Sequence, residues 1–333
     1  MKIINILKII GQRKLRVLAV ILLPSSIFLL PSNAQSAFKD IGFSVRPAGM
    51  GNAFVAVCND YNASNYNPAG ISVMTKKELG FAYTKPYMGL ENVNLSMMYL
   101  SYVHPMSAKI GNMGITITSF DGDGLYAENM FSLSYARSLY SKKDSKYCVG
   151  VNVKYLSHVF NWDERTKLVA EQVDDPVVKA GNSKGAASAD VGFLAVFSRK
   201  FSLGVAAKNI NQPDLGLKYE DRVPTETRLG VAYKIPYWKG MDTVVGTVDV
   251  SYRAQEWGKE ADKTNVHAGV ETWFATHKYA VRIGGNKNEV TTGFGINRRL
   301  GQNFSIQIDY ALMWSLRIAD NSGSHRLGAS VKF

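Results

Sequence analysis

The final segment of the chain alternates apolar and polar residues with a period of two. From His325 to Phe333 the apolar side chains face one way and the polar ones the other, as in a strand. At the edge of an open sheet, such a strand leaves backbone N–H and C=O groups unpaired. A closed barrel removes that edge, and in a membrane barrel the apolar face contacts lipid.

The same alternation recurs from Glu78 onward. In residues 227–235, for example, Leu229, Val231 and Tyr233 oppose polar or small residues. We therefore predict an all-β protein, a transmembrane antiparallel β-barrel of about fourteen strands over residues 78–333. The predicted strands lie near residues 78–85, 95–103, 109–119, 130–139, 147–157, 189–198, 201–210, 225–235, 243–253, 263–273, 277–285, 290–299, 303–313 and 325–333.

The predicted connections tend to alternate between longer and shorter, as residues 159–188 and the following link 199–200 illustrate. Bacterial outer-membrane barrels have an even number of strands, long extracellular loops and short periplasmic turns. The pattern therefore predicts a location in the bacterial outer membrane, surrounded by its lipid, with both chain ends on the periplasmic side. The link at residues 286–289 is short for an outer loop.

The first residues predict a secretory signal peptide over residues 1–34. A basic region precedes an apolar core, and small residues then give a cleavage site near Ala34. An uncleaved anchor helix is the alternative. Beyond this segment, no run of about 20 apolar residues predicts a transmembrane helix. The formal net charge of +12 comes without a Lys/Arg run or an RNA-binding aromatic motif, so we expect no nucleic-acid partner.

Residues 35–77 lack sustained alternation, and a segment of this length before a barrel can sit inside it as a plug. Gly49 and Gly51 permit close backbone approach or unusual dihedral angles. Arg46 and Asp60 can pair and fix the plug to the wall. The residues singled out for a structural or gating role are Arg46, Gly49, Met50, Gly51, Asp60, Asn67, Pro68 and Gly70.

The polar face of the predicted strands carries a net basic set of side chains. One interpretation is a route or site for an anionic group, and the other is a charge network that braces the wall against the plug. The basic residues singled out on this face are Lys154, Arg228, Arg253 and Arg282.

We predict no catalytic residue, no metal site and no cofactor, and therefore no enzyme. The histidines are scattered and lack the spacing of a metal motif. Asp121–Gly124 begins like a calcium loop but lacks the distal glutamate, so it is interpreted as a tight turn. Ser157 and His158 are neighbours on a strand and point to opposite faces. Two cysteines are expected as buried free thiols, with one disulfide as the alternative: Cys58 and Cys148.

The stretch 46–57, followed by Asn59-Asp60 and by Asn67-Pro68-Ala69-Gly70, resembles the PorV/PorQ proteins. Those are FadL-like outer-membrane barrels with fourteen strands and an N-terminal plug. A second similar stretch lies within residues 203–233. The chain departs from the family pattern at Cys58 and Asn59, where a small residue and an Asp are usual.

The resemblance implies an accessory of type IX secretion, a barrel that binds the C-terminal signals of secreted proteins through extracellular loops such as residues 159–188. Its FadL-like character implies instead a transporter of a hydrophobic ligand such as a long-chain fatty acid, with the plug gating the lumen. A purely structural barrel is the third possibility. Phe333 resembles the terminal aromatic assembly signal, which makes the barrel assembly machinery an expected partner.

Overall fold

The computed structural model describes residues 42–91, 93–107, 109–142, 144–164, 167–168, 173–253, 263–301, 303–318 and 321–333. The predicted signal peptide, residues 1–34, lies outside them, as do the first residues of the predicted plug.

In this part of the chain, fourteen antiparallel strands form one closed barrel, in which each strand pairs with its neighbours in sequence. The first and last strands close it, with Glu78 opposite Lys332 and Lys85 opposite His325. The predicted fold class and the predicted closure are confirmed. The strands are β1 Glu78–Lys85, β2 Leu95–Pro105, β3 Asn112–Gly122, β4 Tyr126–Lys142, β5 Ser145–Phe160, β6 Ser183–Phe197, β7 Phe201–Lys208, β8 Glu226–Ile235, β9 Thr243–Arg253, β10 Thr264–Phe274, β11 Tyr279–Asn286, β12 Glu289–Leu300, β13 Phe304–Ser315 and β14 Ser324–Lys332.

The helices named within the described residues are short. They are α1 Val45–Gly49, α2 Ala63–Tyr66 and α3 Pro176–Lys179, together with a 3-10 helix over Pro68–Val73. Among the described residues, none of the helices has the length and apolar character needed to cross a bilayer.

The outward and inward faces differ as the alternation predicts. On β5, Val151, Val153 and Tyr155 are exposed outward, whereas Asn152 and Lys154 are buried inside. Lipid accepts the apolar face, and the polar face lines the lumen.

Two strands extend further than the sequence indicates. β6 begins at Ser183 and not near residue 189, and β4 begins at Tyr126 and not near residue 130. There β4 pairs with β5 as far as Phe160, and β5 pairs with β6 back to Ser183. Backbone pairing continues where apolar alternation has ended, because hydrogen bonding between strands does not require a lipid-facing side chain.

Replacing Val153 with arginine tests the lipid-facing surface. Val153 is 62% exposed near the middle of β5. We expect a loss of about 2–4 kcal/mol of unfolding free energy, the cost of an arginine near the bilayer midplane. The matched variant Leu139→Arg, close to the turn end of β4, is expected to cost about 0–1 kcal/mol. Urea unfolding in lipid vesicles, followed by gel mobility before boiling, measures both, and equal losses would contradict this lipid contact.

Candidate functional site

Residues 42–74, called the lumenal segment from here on, run through the inside of the barrel. They contain α1, α2 and the 3-10 helix, and most of their side chains are buried. Hydrogen bonds join the segment to β2, β3, β5, β6, β7, β8, β9, β10, β12 and β14. The segment is therefore held from all sides of the wall. It falls within the predicted plug, whose boundaries and gating role stay predictions.

Arg46 in α1 is the centre of a buried ion cluster. Its Nε and Nη2 donate to the two carboxylate oxygens of Glu271 on β10, each at 2.7 Å. Its Nη1 donates to Asp60 Oδ2 at 2.7 Å and to Asn59 Oδ1. A planar guanidinium suits such two-pronged pairing. The expected Arg46–Asp60 contact is present, and Glu271 is the wall residue that anchors it.

A second arginine extends the cluster along the wall. Arg282 on β11 stands opposite Glu271 in the strand pairing and donates its Nε to Glu271 Oε2 at 2.7 Å. Its Nη1 donates to Asp309 Oδ1 on β13, also at 2.7 Å. The side chains of Arg282, Glu271 and Asp309 are at most 2% exposed. Each buried charge has an opposite neighbour, which offsets the cost of its desolvation.

The turn after α1 is tied to the wall through Gly51. Its N–H donates to Thr291 Oγ1 on β12 at 2.9 Å, and its carbonyl oxygen accepts from His267 Nδ1 on β10 at 2.8 Å. Gly51 has a φ of 65°, in the left-handed region. A Cβ placed here would lie 2.3 Å from the backbone nitrogen of Gly285 on β11. Only glycine satisfies both this backbone conformation and this close approach.

Two wall residues hold the next part of the lumenal segment by its backbone. Arg228 Nη1 on β8 donates to the carbonyl oxygen of Asn52 at 3.0 Å. Asp249 Oδ2 on β9 accepts from the N–H groups of Phe54 and Val55, at 2.7 and 2.9 Å. These contacts satisfy backbone groups that lie in no regular element and that would otherwise be buried without a partner.

Asn67 both caps the 3-10 helix and binds the wall. Its Oδ1 accepts from the N–H of Ala69 at 3.1 Å, with Pro68 at the first helical position. Its Nδ2 donates to the carbonyl oxygens of Val55 and of Phe193 on β6, at 2.9 and 3.0 Å. The Asn-Pro pair thus fixes the end of the segment against β6.

Both cysteines are buried free thiols, which confirms the first of the two alternatives. Cys58 lies against Gly70: a Cβ added at Gly70 would lie 2.4 Å from the Cβ of Cys58. Cys148 packs with Ala69 and Leu194. Among the residues that the structure describes, no group of His, Cys, Asp or Glu could hold a metal ion. The turn after β3 is closed by Asp121 Oδ1, which accepts from the N–H of Gly124 at 2.9 Å, as expected for a tight turn.

The four predicted lumenal basic residues are buried inside the barrel, and each faces a carboxylate. Arg282 belongs to the Arg46 cluster described above. The other three pairs are Lys154–Asp190 at 2.6 Å, Arg228–Glu226 at 2.8 Å and Arg253–Glu226 at 3.9 Å. Because these charges are already neutralised, they favour the interpretation in which a charge network holds the lumenal segment against the wall, and not the one in which they form a path for anions.

Several lumenal partners were not singled out from the sequence. Asp190 lies beside the predicted start of its strand, and Glu226 stands two residues before Arg228, on the same face of β8. Because residues two apart on a strand share a face, this spacing could have predicted the pairing of Arg228 with Glu226. His267 and Thr291 bind a backbone atom more than 200 residues earlier in the chain, at separations of 216 and 240 residues. No local pattern identifies such partners.

Aromatic rings collect at the loop end of β4 and β5. The ring centroid of Phe160 lies 4.8 Å from that of Tyr126 and 4.9 Å from that of Trp162. The rings of Phe160 and Trp162 are within 4° of parallel. These rings are half-buried. The connection to β6 that follows them exposes Leu168 and Val173. Aromatic clusters and exposed apolar side chains are both enriched at protein-docking surfaces.

At the opposite end, Phe333 continues the ladder beyond β14. Its N–H donates to the carbonyl of Lys77 at 3.0 Å, and its carbonyl accepts from the N–H of Lys77 at 3.1 Å. Its ring is exposed, 46% of the residue being accessible. Its recognition by the barrel assembly machinery stays a prediction.

A closed antiparallel barrel with an apolar outer face and a chain segment packed in a charged lumen defines an outer-membrane β-barrel. The chain belongs to the PorP/SprF family of type IX secretion system membrane proteins, whose family model matches residues 57–331. This match confirms the expected connection to type IX secretion. It does not confirm the PorV/PorQ group in particular. The matched family is one of secretion-system membrane proteins and not of enzymes.

Similar solved structures include two toluene transporters and a FadL homologue. The toluene transporter TbuX of Ralstonia pickettii aligns with a TM-score of 0.55 and 12% identity, over 89% of this chain and 98% of that one. A FadL homologue of Pseudomonas aeruginosa aligns with a TM-score of 0.54 and 12% identity, over 92% of this chain and 99% of that one. The toluene transporter TodX of Pseudomonas putida aligns with a TM-score of 0.53 and 10% identity, over 92% of this chain and 98% of that one. At these identities the likeness concerns the fold. A comparison with curated proteins gives no match.

Proposed function

We propose that this barrel serves type IX secretion by binding exported proteins at its extracellular end, the role that the PorV/PorQ resemblance implies. The observation that carries the proposal is the family match over residues 57–331, which runs from within the lumenal segment to the penultimate residue of β14. The bound element would be the C-terminal signal of a secreted protein.

The loop end of the barrel supports this proposal. Phe160 and Trp162 stack at the base of the long connection between β5 and β6, and Leu168 and Val173 are 60% and 68% exposed there. A partner that covers these side chains would gain hydrophobic burial on a rigid aromatic base. The connection lies within the predicted loop 159–188.

A FadL-like transporter of hydrophobic molecules is the second candidate, favoured by the fold likeness to toluene transporters. The size of the recess on the loop side of the lumenal segment argues against it. Its volume is about 50 Å³, well below the roughly 300–1,000 Å³ typical of ligand pockets. Its lining combines the apolar side chains of Phe43, Met130 and Leu156 with the charged side chains of Glu128, Lys154, Lys208, Glu226 and Arg253.

Deletion of the gene is the test, with the deletion strain complemented by variants. Loss of the protein is expected to leave secreted proteins with C-terminal signals trapped in the periplasm. The double variant Phe160→Ala/Trp162→Ala is expected to reduce export roughly tenfold or more, because aromatic hot spots contribute about 2 kcal/mol or more to binding. The control is Tyr219→Ala, which removes an aromatic ring that is 67% exposed on another loop.

The outcomes separate the two candidates. Normal export in the deletion strain refutes the secretion role. Slower uptake of long-chain fatty acid with unchanged export supports the transporter instead. Equal export by the double variant and the Tyr219→Ala control would leave the aromatic cluster outside the binding surface.

A further inference from the structure

Charge is distributed unevenly between the two ends of the barrel. At the end with the short turns, basic side chains greatly outnumber acidic ones among the described residues. The acidic ones are Glu78, Asp144 and Asp242. The basic ones are Lys76, Lys77, Lys109, Lys142, Lys146, Arg199, Lys200, Lys234, Lys239, Lys278, Arg298, Arg299 and Lys332. Short turns mark the periplasmic side of an outer-membrane barrel, so this basic rim faces the periplasm.

Two recesses open inside this rim. One has a volume of about 530 Å³ and the other about 570 Å³. They are adjacent, because Asn59, Lys234 and Val245 line both. Ala56, Val57 and Asn59 of the lumenal segment contribute to the lining, so the recesses lie within the circumference of the barrel. We call the two together the basic recess.

The lining of the basic recess is mostly cationic where it carries charge. In its first part the basic residues surround one acidic residue, Asp144. In its second part the acidic residue is Glu271, which Arg46 and Arg282 already neutralise. The lining lysines and arginines are Lys142, Lys146, Arg199, Lys200 and Lys234 in the first part, and Arg46, Lys76, Lys234, Arg299 and Lys332 in the second. Two of those in the second part already face carboxylates: Arg46 binds Glu271 and Asp60, and Lys332 lies 3.4 Å from Glu78.

The shape and position of the recess restrict its partner. Membrane phosphates lie outside the barrel wall, whereas the recess lies inside it and above the lumenal segment. A concave surface lined by one sign of charge focuses the field and attracts the opposite charge. An extended acidic polypeptide can enter such a recess and reach several cations at once.

We propose that the basic recess is a docking site for an acidic segment of a periplasmic protein. The proposal rests on the periplasmic assignment of the turn end and does not depend on the loop-side function proposed above. A peptide-binding measurement and the export measurement can therefore fail separately.

Fluorescence anisotropy of a labelled oligoglutamate peptide with the purified full-length barrel tests the proposal. The recess variant is Arg199→Gln/Lys200→Gln/Lys234→Gln. The matched control is Lys109→Gln/Lys239→Gln/Lys278→Gln, which removes the same charge from exposed rim positions outside the recess lining. We expect binding that weakens as salt rises, because exposed charges are screened. We expect the recess variant to weaken it about tenfold or more, and the control to have a much smaller effect.

Three results would overturn the proposal. The first is absence of peptide binding by the folded barrel at low salt. The second is equal weakening of peptide binding by the two triple variants, which would mean that the net charge of the rim, and not the recess, determines binding. The third is displacement of the peptide by mixed micelles containing phosphatidylglycerol at lower concentration than by unlabelled oligoglutamate, which would identify lipid headgroups as the preferred anion. Far-ultraviolet circular dichroism and gel mobility before boiling establish that each variant is folded.

Discussion

Replacing Arg46 with alanine is expected to lower the unfolding free energy of the barrel by about 3–5 kcal/mol, the usual cost of removing one partner from a buried ion cluster. Glu271 would keep Arg282, but Asp60 would lose its guanidinium, and both carboxylates would remain buried. Urea unfolding in lipid vesicles measures the loss. Limited proteolysis is expected to cut the lumenal segment of the variant faster than that of the wild type.

The control is an arginine of the same chemistry in an exposed pair. Arg222 faces Glu220 on the connection between β7 and β8, where the two side chains are 44% and 58% exposed. Exposed pairs contribute about 0–1 kcal/mol, so Arg222→Ala is expected to change little. If Arg46→Ala costs no more than Arg222→Ala, the lumenal segment is held by its apolar and backbone contacts and not by the ion cluster.

The strands were predictable because lipid imposes a strict rule on the outer face. Through the middle of β5 and β12 exposed and buried side chains alternate, as a lipid-facing outer surface requires. The rule ends where the strand leaves the membrane. The starts of β4 and β6 were therefore misplaced, since pairing there rests on backbone hydrogen bonds that any sequence can form.

The lumenal contacts were only partly predictable. Arg46 and Asp60 lie 14 residues apart in one segment, and their opposite charges predicted a contact. Arg46 and Glu271 are 225 residues apart, and which strand faces α1 depends on the closed barrel. The sequence motif therefore predicts contacts within the lumenal segment, but not which residues of the barrel wall bind it.

The same reasoning explains why the motif alone does not decide between the PorV/PorQ group and the PorP/SprF family. Gly51, Asn67 and Pro68 are required for close packing of the lumenal segment against the wall. Any barrel that encloses a segment in this way has use for such residues, whatever its partners. The residues proposed here to bind partners lie in the exposed loops and the rim, which the motif does not include.

Replacing Gly51 with alanine is expected to be the second most damaging change to the lumenal segment. At a φ of 65° a Cβ costs about 1–2 kcal/mol, and forcing it into a packed site costs about 1–3 kcal/mol more. The second cost arises because the new atom would lie 2.3 Å from the nitrogen of Gly285 and 2.7 Å from the carbonyl oxygen of Ala268. Backbone atoms of two paired strands cannot move aside as a flexible side chain can.

Gly124 separates the two costs. It has a φ of 71°, close to that of Gly51, but no atom lies within 4 Å of the position of an added Cβ. Gly124→Ala is therefore expected to cost only the conformational part, about 1–2 kcal/mol. Hydrogen exchange of residues 45–57 provides the second readout, since Gly51→Ala alone should reduce their protection. Equal losses for the two variants, with protection unchanged, would mean that the segment does not depend on this close approach to β10 and β11.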